Sequence, residues 1–187
     1  MIDKSMKYTA CILLPIGLAV GFFGGEIIIF IFHEEFIYAV LPLQILLIGT
    51  LINGSTSRAI GGSVSAVGRP DLDLKKVCVS ASTNIILNIL LIPYFGIIGA
   101  AVATSISLSI TSALGIFFLI KTLQIKVDFK WYAKVFGILF LFVLIFIYSP
   151  SINKYISGCM LLSIYILIII KFFLIEKINI IKSLFSK

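Results

Sequence analysis

The sequence predicts an all-α membrane protein, a polytopic bundle of about six transmembrane helices, and three observations predict it. Of its 187 residues 60% are hydrophobic and only 12% charged, roughly half the charge of an ordinary soluble domain. Apolar stretches of roughly twenty residues recur along most of the chain, the length a helix needs to cross a hydrocarbon core about 30 Å thick. The stretches are also continuous, whereas barrel strands would be about half as long and alternate in polarity.

The expected spans lie near 9–32, 36–67, 74–92, 97–120, 131–149 and 155–175, within a single transmembrane domain covering 1–187. Ahead of the first span, Met1 to Tyr8 is polar. The apolar run that follows is too long for a signal-peptide core and has no small-residue cleavage pattern after it, so a retained helix is expected. It carries Glu26 and ends at His33-Glu34-Glu35.

The second span is overlong and changes character at Gly49, running through Asn53, Ser57 and Arg58 with Gly61-Gly62 as its expected bend. Span three follows the segment VGRPDLDLKK and places Ser80, Asn84 and Asn88 one turn apart. Pro93 is expected to end it, Tyr94 to sit at the interface and Gly96 to allow a tight reversal. Span four then carries a small, weakly polar stripe of Ala100, Thr104, Ser107 and Thr111. The last two spans have almost no informative polar positions and are expected to face lipid or a partner.

Orientation follows from the basic residues, which accumulate in cytoplasmic loops. Lys4 and Lys7 precede span one. Arg69, Lys75 and Lys76 lie between spans two and three, and Lys121, Lys126, Lys130 and Lys134 between four and five. The intervening connections are acidic, uncharged or hold a single lysine. An even number of spans with both termini in the cytoplasm is therefore expected, in a multi-pass protein of the plasma membrane. The formal charge of +7 reads as a set of topology signals rather than as a nucleic-acid surface, because the cations are spread among loops.

Few residues suggest chemistry. Cys11, Cys78 and Cys159 have no metal-ligand spacing. His33, Glu34 and Glu35 are adjacent, do not share a helical face and lack a second histidine. No metal site, cofactor or catalytic residue is expected, and the chain does not read as an enzyme. Polar side chains within spans carry the remaining candidates, since they are costly in a membrane. Asn53, Ser57, Arg58, Asn84, Asn88 and Thr104 form a candidate substrate cavity, with Arg58 suited to gripping a phosphate through paired hydrogen bonds. Glu26 is a weaker candidate for ion coupling. The alternatives for the same residues are interhelical packing for the amides and hydroxyls and snorkelling to head groups for Arg58.

The run NIILNILLIPYFGIIGAAVATSIS from Asn84 to Ser107 resembles the polysaccharide-biosynthesis and lipid-linked oligosaccharide flippase family. It has the two asparagines on one helix, the LIP-x-x-G turn and the GAA-x-AT start of the next helix. Pro15-Ile16-Gly17 and Phe36-Ile37-Tyr38-Ala39 are similar to that family's preceding helix pair, and the resemblance covers about residues 8–125. It implies a place in the MATE-like exporter superfamily, with 12 to 14 helices in two lobes that rock about a central cavity. The six spans of this chain correspond to a C-terminal portion. The implied partners are membrane lipid, a lipid-linked oligosaccharide, and either a second copy or a separate first-lobe protein. Two other readings stand beside it: a non-transporting subunit or truncated remnant, and one lobe of a cation-coupled drug exporter.

Overall fold

The computed structural model describes residues 2–58, 63–66, 68–124, 128–148, 158, 160, 162–167 and 170–171. Among them every regular element is helical, so the chain is an all-α bundle of apolar helices. They are α1 (Ile2–Phe22), α2 (Gly24–Phe32), α3 (Val40–Asn53), α4 (Ser63–Ala66), α5 (Pro70–Leu123) and α6 (Phe129–Tyr148), with a 3-10 turn over Glu34–Ala39 and a π-helical turn over Gly54–Arg58. The segments Asp3–Phe22, Glu34–Thr56 and Pro70–Thr122 are long and apolar enough to cross a membrane. The chain forms two compact units, Met1–Tyr132 and Ala133–Lys187.

The helix that carries the first expected span begins at Ile2 and is interrupted once. Phe23, with φ −102 and ψ 15, interrupts the helix between α1 and α2, where the weak helix formers Gly24 and Gly25 follow. The expected second span is divided further. Its helix leaves α geometry at Gly54, ahead of the expected bend at Gly61-Gly62, which lies outside the described residues. Local chemistry explains the early departure. The Ser55 hydroxyl donates to the Leu51 carbonyl at 2.7 Å and that of Thr56 to the Ile52 carbonyl at 2.6 Å. Such back-bonding competes with the backbone ladder just where glycine weakens it.

Spans three and four are the two limbs of α5. Pro93 does not end the first limb, because the backbone stays helical past it. The reversal falls at Gly96, whose φ of 54 and ψ of −129 lie outside any helix in a region open to glycine and costly to other residues. Each limb is roughly 40 Å long at about 1.5 Å per residue. They pack so closely that a Cβ on Gly99 would lie 2.5 Å from the Leu91 carbonyl oxygen.

The limbs are not equivalent. Between residues 70 and 95 no side chain is buried, while Ala101, Ala103, Ser107, Ser112 and Leu119 of the second limb are. The second limb is therefore the inner one. It also receives α3, since the Ser105 hydroxyl donates to the Ile45 carbonyl at 2.7 Å. On the other side of α3, the Gln44 amide donates to the Gly21 carbonyl of α1 at 3.1 Å. The last expected span, 155–175, is described only at 158, 160, 162–167 and 170–171, all helical.

Candidate functional site

The polar residues of α5 meet between its limbs. A groove of about 280 Å³ is lined by Val77, Ser80, Ala81 and Asn84 of the first limb and Thr104, Ser107, Leu108 and Thr111 of the second. Helical spacing alone brings each set to one face, and the reversal at Gly96 makes the faces oppose. None of the lining side chains carries a charge.

Its hydrogen bonds run in two clusters. In one, the Thr111 hydroxyl donates to Ser80 Oγ at 2.6 Å, and the Ser80 hydroxyl donates to the Ser107 carbonyl at 2.8 Å. In the other, Asn88 Nδ2 donates to Asn84 Oδ1 at 2.9 Å and Asn84 Nδ2 reaches Thr104 Oγ1 at 3.4 Å. Oδ1 of Asn88 is buried and accepts no hydrogen bond among the described residues. The arrangement is a neutral polar seam in an otherwise apolar helix pair, able to exchange hydrogen bonds with an uncharged, hydroxyl-bearing group.

Of the candidates read from the sequence, the structure brings together Asn84, Asn88 and Thr104. Asn53 is buried near the end of α3, one turn beyond Gly49 and on its side of the helix. Ser57 and Arg58 close the π-helical turn, and their side chains lie outside the described residues. Glu26 is exposed in the first turn of α2, away from the groove's lining. Ser80, Ser107 and Thr111 were visible only as members of polar stripes. What makes them part of the groove is the register of the hairpin, which fixes which residues lie opposite.

The entrance to α5 is organised by charge. Arg69 Nε and Nη2 donate to the two oxygens of Asp71 at 3.1 and 3.2 Å. Asp73 receives the Ser65 hydroxyl of α4 and, at 2.8 Å, the Lys76 ammonium. Burial works against the Asp73 charge, but these hydrogen bonds and the Lys76 charge outweigh it and hold the carboxyl below its ordinary value. Among the described residues no group of His, Cys, Asp and Glu is placed to hold a metal ion.

The chain is similar to the uncharacterized membrane protein MJ1068 of Methanocaldococcus jannaschii, 33% identical over 173 residues, which cover 89% of this chain and 34% of that protein. It is similar to the probable low-salt glycan biosynthesis flippase Agl15 of Haloferax volcanii, 33% identical over 130 residues, covering 70% of this chain and 27% of that protein. The probable flippase AglR of the same organism is 42% identical over 62 residues, or 33% of this chain and 13% of that protein. The chain thus spans about a third of the length of the first of these relatives or less. No family model matches it, and no solved structure matches significantly.

Proposed function

We propose, from the premise that this chain is a portion of a member of the glycan-biosynthesis flippase family, that it forms part of a transporter carrying a lipid-linked sugar across the plasma membrane. It acts as a transporter portion and not as an enzyme. The observation that carries this reading is the uncharged polar groove between the limbs of α5. Amides and hydroxyls at membrane depth are expensive when they face lipid, and a sugar head group is a partner of matching chemistry. Asn84 and Thr104 line this groove, and Asn88 adjoins it through its hydrogen bond to Asn84. Asn53, Ser57 and Arg58 join it on sequence grounds, Arg58 as the group suited to phosphate, while Glu26 is the weaker candidate for coupling an ion. Because the matched residues make up only 34% and 27% of the first two relatives, the opposite wall comes from further sequence, a separate first-lobe protein or a second copy.

The test is complementation of a flippase-deficient cell with the assembled transporter. Asn84→Leu with Thr104→Val, and separately Arg58→Ala, are expected to abolish surface glycan, a loss far exceeding any fall in protein level. Unaltered glycan export with all the wall residues replaced sinks the assignment.

One observation favours a second reading. The hydroxyls of Ser80, Ser107 and Thr111 all donate within the hairpin itself, as residues serving only to join helices would. In that case the same substitutions lower the stability and abundance of the protein, and flipping per surviving molecule does not change.

A further inference from the structure

A second cluster of charged groups lies away from the groove, at the beginning of α1. Lys7 is 8% exposed, which is unusual for an ammonium unless it is paired. Two carboxylates stand beside it. Asp3 Oδ2, one turn earlier in α1, lies 3.2 Å from its Nζ, and Asp128 Oδ2, 121 residues away in sequence, lies 3.4 Å from it. The same Nζ stands 5.5 Å from the centre of the Trp131 ring, a cation–π distance.

Each carboxylate divides its oxygens between two tasks. Asp128 Oδ2 meets Lys7, while Asp128 Oδ1 accepts the Trp131 backbone N–H at 3.1 Å and so caps the first turn of α6. Asp3 Oδ2 meets Lys7, while Asp3 Oδ1 accepts the Asp128 backbone N–H at 3.4 Å. We propose that these four residues form a releasable latch between the start of α1 and the start of α6.

Release is cheap because every charged member keeps a partner. Separation of α1 from Asp128 leaves Lys7 with Asp3, so the buried ammonium does not lose its only counter-charge, the usual reason that breaking such a pair is costly. Asp128 keeps its cap, so the first turn of α6 need not melt. Its side chain is already 48% exposed to water. In the expected orientation the latch faces the cytoplasm, and its state sets whether the α1 and α6 ends stay together there. The latch does not depend on the flippase reading.

Trp131 is the one tryptophan of the chain and is 8% exposed, so its fluorescence reports the latch directly. The experiment is acrylamide quenching of the full chain in detergent micelles and in vesicles, from low salt to roughly 1 M, where the screening length is about 3 Å. Weak quenching at low salt that rises severalfold with salt is expected. Asp128→Asn retains a capping side chain but removes the charge, and Lys7→Met retains bulk. Both are expected to show the salt-raised quenching already at low salt, with little further response and unchanged far-ultraviolet helicity. Quenching of the native chain that ignores salt overturns the proposal whatever the variants do, and so does an Asp128→Asn chain as protected as the native one. If either variant fails to fold, the salt titration of the native chain decides alone.

Discussion

Gly49 of α3 lies directly against Ser105 of α5: a Cβ on Gly49 would fall 2.5 Å from the Ser105 Cα. The Ser105 hydroxyl donates to the carbonyl of Ile45, one turn before Gly49. The two contacts together define how α3 meets the inner limb of the hairpin. Small residues let backbones approach, and a hydroxyl then reaches across the gap.

Gly49→Val is accordingly expected to push α3 from α5, because the obstructing atom is backbone and cannot rotate away. The loss should be about 1–3 kcal/mol, read from unfolding in mixed detergent micelles. Gly21 of α1 is the control, since a Cβ there meets nothing within 4 Å. Gly21→Ala should be neutral or stabilising by roughly 0.5–1 kcal/mol.

The reversal at Gly96 should be equally intolerant for a different reason. Its surroundings are open, but its φ of 54 and ψ of −129 are strained for any side chain. Gly96→Ala is expected to cost about 1–3 kcal/mol and to make the hairpin tip more susceptible to proteolysis. Equal stability and equal cleavage would show that the turn relaxes into another conformation.

Asn84 and Thr104 should be energetically coupled across the hairpin. A double-mutant cycle with Asn84→Leu and Thr104→Val is expected to give about 0.6 kcal/mol, the average for hydrogen bonds between membrane helices, and no more than about 1.7. Simple additivity would mean that the 3.4 Å contact contributes nothing to hairpin stability.

Asp73 supplies a pH test at the entrance to α5. Its folded carboxyl is held below the ordinary value of 3.8 by Lys76 and Ser65, against the effect of burial. A depressed carboxyl contributes stability that is complete above its unfolded value and is lost as pH falls through the folded one. Native protein should therefore exceed Asp73→Asn in stability at neutral pH. The difference should close only as pH drops below about 4, and a gap that persists at lower pH would mean the charge is not its source.

Much of the architecture was legible in the chain. Apolar runs and interleaved cations are local properties, so the all-α membrane class followed from composition and length. Periodicity likewise placed Asn84 with Asn88 and Thr104 with Ser107 and Thr111 on shared helix faces. The finer interruptions were less visible. Phe23 breaks its helix through its backbone angles, and at Gly54 the helix passes from α to π where hydroxyls compete for carbonyls, both inside continuous apolar or small-residue runs where hydropathy has no contrast to offer. Gly96 makes the reversal, as its place in the sequence suggested; Pro93 does not end the helix, because a proline near a helix end removes one backbone donor and still permits helical angles beyond it.

What the sequence determined by itself is therefore the set of helices, their small and polar faces and the solvent that suits them, all of which depend on neighbours within a turn or two. The tertiary structure decided which faces meet. It set Ser80 against Ser107 and Thr111, laid α3 on the inner limb through Gly49 and Ser105, and joined Lys7 to Asp128 across 121 residues. Such pairings depend on close backbone approach and on the register of a reversal, and a period of 3.6 residues specifies a face without naming its partner.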